Sequence, residues 1–290
     1  MTSQLPDSQL RKLQRLVASA RMPERPLRSQ PEEGVAACLG SYTLHRPMGP
    51  RTWEATHEKH PGRLVVRLLA KDPPADRLQR AVADLRAIAR ITSPIIVANQ
   101  RVSRAGSIHF LSREFIPGPN LIEWTGPPRT GLFAFYQLAR ALQSAHDRGV
   151  AHGDLTPHNI IIDDAGRPFI TDVGLRRIGR NLAGQTQGHP DPAIDASDLG
   201  TLFLTLVTGK VPAEILRSSV PAALPPIDPK VDPLIRNLAS RILVGTPPPT
   251  VRDLADAAGV ICQKLPNTET SKIELLQRFE KKSGGQKGDS

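Results

Sequence analysis

Three side chains near the middle of the chain have the types and spacing that phosphate chemistry uses. In the string VAHGDLTPHNIIID, residues 150–163, Asp154 stands five positions before Asn159, just ahead of a β-branched run. In FITDVGL, Asp172 closes a short apolar strand, and Val173 and Gly174 turn the chain away from it. Phosphoryl transfer from ATP needs one carboxylate to orient the accepting hydroxyl, and an amide with a second carboxylate to hold the metal that neutralises the phosphates. Taken singly, Asp154 and Asn159 are also ordinary turn formers. The two strings together, in this order, favour the chemical reading.

The elements that must hold these groups follow from the apolar spacing. From Ser41, YTLHRPMG, TWEATHE and RLVVRLLA read as three short antiparallel strands. Residues 75–92 place Leu78, Val82, Leu85, Ile88 and Ile91 at helical spacing. PIIVANQRV and SIHFLSREF read as two further strands. A long helix, GLFAFYQLARALQSAHDRGV, leads into the Asp154 string. DASDLGTLFLTLVTGK reads as a buried helix with Gly209 as its C-cap. PLIRNLASRILVG and TVRDLADAAGVICQKL read as the last two helices, the second with Thr250 as N-cap. Ahead of all this, Leu10, Leu13, Leu16 and Val17 lie on one face of a basic helix, followed by a Pro- and Arg-rich linker. The expected division is 1–40 for that helix and linker, 41–116 for a small lobe, 117–265 for a large lobe, and 266–290 for a charged tail with one short helical stretch.

The central strings resemble the catalytic loop and D-F-G segment of bacterial-type Ser/Thr protein kinases. The resemblance covers roughly residues 41–264. His152, Asp154, Pro157 and Asn159 match the catalytic loop, and Asp172 and Gly174 match D-F-G. DASDLG resembles the start of that family's central helix, LTLVTGKVP its end, and PPTVRDL a segment near the domain end. The resemblance implies an α+β, two-lobed protein kinase fold: a small five-stranded antiparallel sheet with one helix, and a larger, mainly helical lobe. It implies that Asp154 orients the acceptor hydroxyl, that Asn159 and Asp172 hold Mg2+, and that Asp195 ties down the catalytic-loop backbone. Gly49, Val65, Arg67, Asp84, Arg113, Glu114, Ile116 and Ile161 fall at the positions that would surround ATP.

Several of those positions depart from the family's pattern. The glycine-rich loop, whose amides approach phosphates because no Cβ intervenes, is MGPRTWEAT here. Only Gly49 remains, and Pro50 has no N–H to donate. Arg51 is left to meet a phosphate through its side chain. The strand lysine that grips phosphates becomes Arg67, with Lys71 on the same face if the register slips. Its helix partner becomes Asp84, so an Arg67–Asp84 pair is expected, serving either a nucleotide or structure alone. The small alanine of the adenine pocket becomes Val65. Glu114-Phe115-Ile116 reads as the hinge whose backbone would bond adenine, and the position before it is Arg113. A charge facing an apolar pocket needs a partner. Arg113 is therefore expected to reach Asp172 or Asp84 and to occupy the nucleotide or metal site. Gly153 and Thr156 replace the catalytic loop's arginine and lysine, and Pro248 replaces an arginine of the large lobe. His152-Gly153-Asp154 also resembles the loop of small-molecule kinases.

Three readings follow: a Ser/Thr protein phosphotransferase with a degenerate nucleotide lobe, using ATP and Mg2+ on a protein substrate; a non-catalytic pseudokinase scaffold that binds a signalling partner; and a small-molecule kinase. The bulk numbers narrow the field. The chain carries a formal charge of +10, with six basic against two acidic side chains in residues 1–30. No basic motif interleaved with aromatics accompanies it, so nucleic acid is not expected as a partner. Two distant cysteines, Cys38 and Cys262, make neither a disulfide framework nor a metal site. A reducing cytoplasm fits that usage. No apolar leader is expected at the N-terminus, and the longest apolar run, 199–209, is too short to span a bilayer. Of the eight histidines, the seven other than His152 (His45, His57, His60, His109, His146, His158 and His189) show no metal spacing.

Overall fold

The computed structural model describes residues 37–49, 51–97, 99–185, 191–208, 229, 231–245 and 247–265. The basic N-terminal helix and its linker, Pro50, His189, the Gly209 cap and the charged tail lie outside the described residues.

Antiparallel strands build the first lobe: β1 Ala37–Leu39, β2 Tyr42–Gly49, β3 Thr52–His57, β4 His60–Lys71, β5 Asn99–Ala105 and β6 Ile108–Glu114. Their order is β1-β2-β3-β4-β6-β5. One helix, α1 Ala75–Ala89, crosses from β4 to β5 and packs on β5. The sheet thus has one strand more than expected. The added strand is three residues long and pairs Cys38 with Thr43, too short for alternation to announce it.

Side chains alternate between the two faces of this sheet. Leu39, Tyr42, Leu44, Ala55, Leu64, Val66 and Phe110 form a buried cluster on one face. Tyr42 Oη and Ser112 Oγ share a hydrogen bond of 3.1 Å there, which satisfies two polar groups inside the cluster. Val65, Arg67 and Arg113 are one step out of phase, so they face the other way, toward the second lobe.

That second lobe is mainly helical: α2 Pro128–His146, α3 Leu175–Leu182, α4 Pro192–Thr208, α5 Asp232–Val244 and α6 Val251–Lys264, with a small β7–β8 hairpin, Ile160–Ile162 and Pro168–Ile170. The run LGTLFLTLV is apolar all round because α4 is the centre of the lobe, packed by α2, α5 and α6. Phe135 of α2 meets Phe203 of α4 with ring centroids 4.8 Å apart. Gly131 allows the two backbones close approach: a Cβ there would lie 2.5 Å from the Leu206 carbonyl oxygen. Thr250 caps α6 in a reciprocal box with Asp253, as its sequence position predicts.

The two-lobed α+β architecture is the expected one. Between Gly174 and the start of α4, where the apolar spacing assigns no element, α3 forms eight residues of helix directly after Gly174.

Candidate active site

The Asp154 loop is held from below by a buried carboxylate. Asp195, in the first turn of α4, is fully buried. It accepts hydrogen bonds from the backbone N–H of His152 at 2.7 Å and of Gly153 at 2.8 Å, and from His146 Nε2 at 2.8 Å. Burial alone would raise its pKa; the His146 hydrogen bond, the nearby His152 and the two N–H donors outweigh burial and hold it below the usual carboxylate range. The expected anchoring role of Asp195 is thus present in the geometry. His152 fastens the other side. Its Nδ1 accepts from the Asp154 N–H at 3.2 Å, and its Nε2 donates to the Thr171 carbonyl at 3.0 Å. Asn159 Nδ2 donates to the Asp154 carbonyl at 2.9 Å. Asp154, Asn159 and Asp172 are therefore carried on one cross-braced unit.

Asp172 sits at φ +63° and Gly174 at φ +69°, the left-handed region that L side chains enter at a cost of about 1–2 kcal/mol. That turn aims the Asp172 carboxylate at the sheet. Both of its oxygens are engaged there. Arg67 Nη1 donates to Oδ2 at 2.5 Å, and Arg113 Nε donates to Oδ1 at 3.3 Å. The Arg113 Nη1 also donates to the Glu114 carbonyl at 3.1 Å. That carbonyl belongs to the stretch Glu114–Ile116, whose backbone is expected to bond adenine. Arg113 is 9% exposed in its side chain and Arg67 41%. Burial pushes the Arg113 guanidinium below its usual range, opposed by the Asp172 charge and reinforced by that of Arg67. Arg113 thus reaches Asp172, one of the two partners expected for it.

The expected Arg67–Asp84 pair is not formed. Arg67 is committed to Asp172, and Asp84 accepts from Arg177 Nη2 and, at 3.3 Å, from Asn181 Nδ2, both on α3. The carboxylate on α1 is met by the new helix before the strand arginine can reach it. Asp154 is also paired, with Arg176 Nη1 of α3 at 2.7 Å. Every carboxylate expected to take part in chemistry carries an arginine.

The nucleotide positions differ as well. Gly49 pairs with Thr52, so two residues join β2 and β3 and no glycine loop projects over the cleft. Arg51 takes φ +59° in this turn and folds back to donate to the Leu69 carbonyl at 2.8 Å, so its side chain is not presented to a phosphate. Lys71 is exposed at the end of β4, paired with Ile108, and does not replace Arg67. Val65 is 2% exposed and Ile161 8%, so the roof and floor positions of the adenine slot are both covered. Ile116 is half-buried beside the hinge.

One residue missing from the sequence reading is Glu54. It lies opposite Val65 in the β3–β4 register, on the cleft face. It accepts from Arg63 Nε at 2.6 Å and from Arg46 Nη2 at 3.2 Å. The hydrogen bond from Arg63 holds its pKa below the usual carboxylate value. The Arg63 guanidinium in turn lies 3.8 Å from the centroid of Phe115, the middle hinge residue. The only signal in the sequence is a charged residue within an alternating strand, which by itself reads as solvent-facing.

No family model matches the chain. It is 27% identical to the Mycobacterium tuberculosis Ser/Thr protein kinase PknA over 274 residues, which cover 80% of this chain and 63% of that protein. It is 29% identical to the Streptomyces coelicolor Ser/Thr protein kinase PkaA over 188 residues, 55% of this chain and 34% of PkaA. The chain thus spans less than two thirds of these relatives. Among solved structures, the M. tuberculosis PknI kinase domain superposes with a TM-score of 0.54 at 19% identity, covering 78% of this chain and 98% of that one. The fold and these relatives define a protein kinase-like domain of the bacterial Ser/Thr type. Among the described residues no helix is long and apolar enough to cross a membrane.

Proposed function

We propose that this domain is a pseudokinase: a kinase fold that has given up magnesium and ATP and acts by binding a protein partner. The observation that carries this reading is the double engagement of Asp172 by Arg67 and Arg113, with Arg113 also on the hinge carbonyl of Glu114. Magnesium and ATP do not fit this cleft. A cation at Asp172 would have to displace two guanidinium groups, one of them buried. Adenine would have to displace Arg113 from Glu114 and make room beside Val65, which is already buried. Phosphates would meet a two-residue hairpin in place of a loop of amides.

The second reading, phosphotransfer to a protein substrate, is supported by a different feature. Asp195, His152 and Asn159 hold Asp154 on a rigid loop, the arrangement a hydroxyl-orienting carboxylate needs. Calorimetric titration of the full chain with ATP, with and without magnesium, separates the two. The pseudokinase reading expects no binding at millimolar ATP, weaker than about −4 kcal/mol. Magnesium-dependent binding that Asp172→Asn abolishes would overturn it and restore the search for a protein or small-molecule acceptor.

A further inference from the structure

A cavity of about 540 Å³ lies in the large lobe, where the ends of α2 and α5 meet α4 and the start of α6. None of the residues of the Asp172 cleft lines it. Its size suits a small organic molecule. Leu204 of α4 and Ile242 of α5 supply apolar wall. Pro192, Pro248 and Pro249 also line it. Their rings fix φ, so this part of the wall is stiff before anything binds, which lowers the ordering cost of an occupant.

Two polar side chains in the wall keep hydrogen-bonding capacity that the protein does not use. Gln143 is buried, and its Oε1 accepts from Arg140 Nη1 at 3.0 Å, but its Nε2 has no partner among the described residues. His146 Nε2 donates to the buried Asp195 carboxylate at 2.8 Å. In the neutral ring that leaves Nδ1 as a bare acceptor, and it too has no partner among the described residues. Gln143 and His146 stand three residues apart on α2, so they share one helix face with roughly 5–6 Å between their Cβ atoms. A donor beside an acceptor is the complement of an amide edge, whose C=O receives from Gln143 and whose N–H gives to His146. An open-chain secondary amide is trans and points those two groups in opposite directions. A lactam ring holds both on one edge. Asp147 and Arg252, which also line the cavity, pair at 3.2 Å, so this exposed side adds no net charge.

We propose that this cavity is a binding site for an uncharged, flat heterocycle with a lactam edge. The apolar part of the ring lies against Leu204 and Ile242, and the amide edge sits on Gln143 and His146. The site is separate from the cleft and does not depend on the pseudokinase reading. An occupant here touches the anchor of the catalytic loop, because His146 bonds Asp195, and Asp195 takes the N–H groups of His152 and Gly153.

Calorimetric titration of the full chain with carbostyril, a benzo-fused lactam, tests this, with N-methylcarbostyril as the control that lacks the N–H. Carbostyril is expected to bind one to one, and the N-methyl compound about tenfold more weakly, the worth of one hydrogen bond to a buried group. Gln143→Leu removes the donor at little change in volume and should weaken carbostyril by about tenfold on the same ground. Ala193→Phe, which fills the cavity from the start of α4, should abolish binding. No binding at millimolar carbostyril, or equal binding of the two compounds, overturns the proposal, and both are read on the wild-type chain. Unchanged affinity in Gln143→Leu overturns it as well. Binding that survives in folded Ala193→Phe places carbostyril elsewhere, the Asp172 cleft included, and has the same consequence. Should Ala193→Phe fail to fold, Ala193→Leu takes its place.

Discussion

Arg113 and Asp172 lie 59 positions apart in sequence and meet at 3.3 Å across the cleft. The pair covers the Asp172 carboxylate, expected to hold a metal, from the roof side, and the same guanidinium reaches the Glu114 carbonyl. One side chain thus joins two positions that a nucleotide would otherwise bridge. It does so in a place where a lone cation would be costly, and the Asp172 carboxylate offsets that cost.

Removing both roof arginines should reopen the metal position. In Arg67→Lys with Arg113→Met, Asp172 and Asn159 are expected to take up Mn2+, seen as loss of the free-ion paramagnetic resonance signal. Wild type should leave that signal unchanged. If the double variant folds and still leaves it unchanged, the arginines are not what bars the cation.

Asp195→Ala should be among the most damaging single changes in the large lobe. It strands two backbone N–H groups and His146 in a buried site. The expected loss is about 3–5 kcal/mol in urea unfolding, on the scale of breaking a buried, hydrogen-bonded ionic group. Asp195→Asn retains one acceptor and should cost less.

Asp198, one turn along α4 from Asp195, gives stability a pH dependence. Burial, with the nearby Asp195 and Asp154 charges, pushes its pKa up to about 7. The folded state therefore holds this proton where the unfolded chain has lost it. The stabilisation is complete below the ordinary aspartate pKa of 3.8 and is lost as pH rises through about 7. Asp198→Asn, neutral at every pH, should be more stable than wild type at pH 8 and lose that advantage near pH 4. Parallel melting curves for the two proteins across this window would refute the assignment.

Two glycines in helices should respond in opposite directions to alanine. Gly131→Ala drives a Cβ into the Leu206 carbonyl and should cost about 1–3 kcal/mol as α2 and α4 are forced apart. Gly179→Ala, within α3, meets nothing within 4 Å. It should stabilise that helix by about 0.4–1 kcal/mol. Thermal melts settle the first, and slower exchange of the α3 amides the second.

The sequence reveals the parts whose meaning is local. Asp154, Asn159 and Asp172 are recognisable because their roles are written in short strings. Thr250 is recognisable because a cap needs only its own turn. Arg113 is legible as a residue in need of a partner, since a charge at the end of HFLSRE faces a pocket. The choice of Asp172 over Asp84 by Arg67 is not legible, because it depends on how far α1 stands from β4. Glu54 is hidden for a related reason: only the pairing with Val65 turns a polar strand residue into part of the cleft roof. The helix α3 was open to reading. Leu175, Ile178 and Leu182 recur at three- and four-residue steps, a helical period, but over only eight residues.

The short turn from Gly49 to Thr52 has a mechanical consequence. A longer loop can bend independently of the strands it joins, so it can admit a ligand and then fold down over it. With two connecting residues and Arg51 tied to Leu69, the tip moves only as the sheet moves. Opening and closing of this cleft is therefore a rigid-body matter between lobes, and whatever shifts α1 against the catalytic loop sets the aperture.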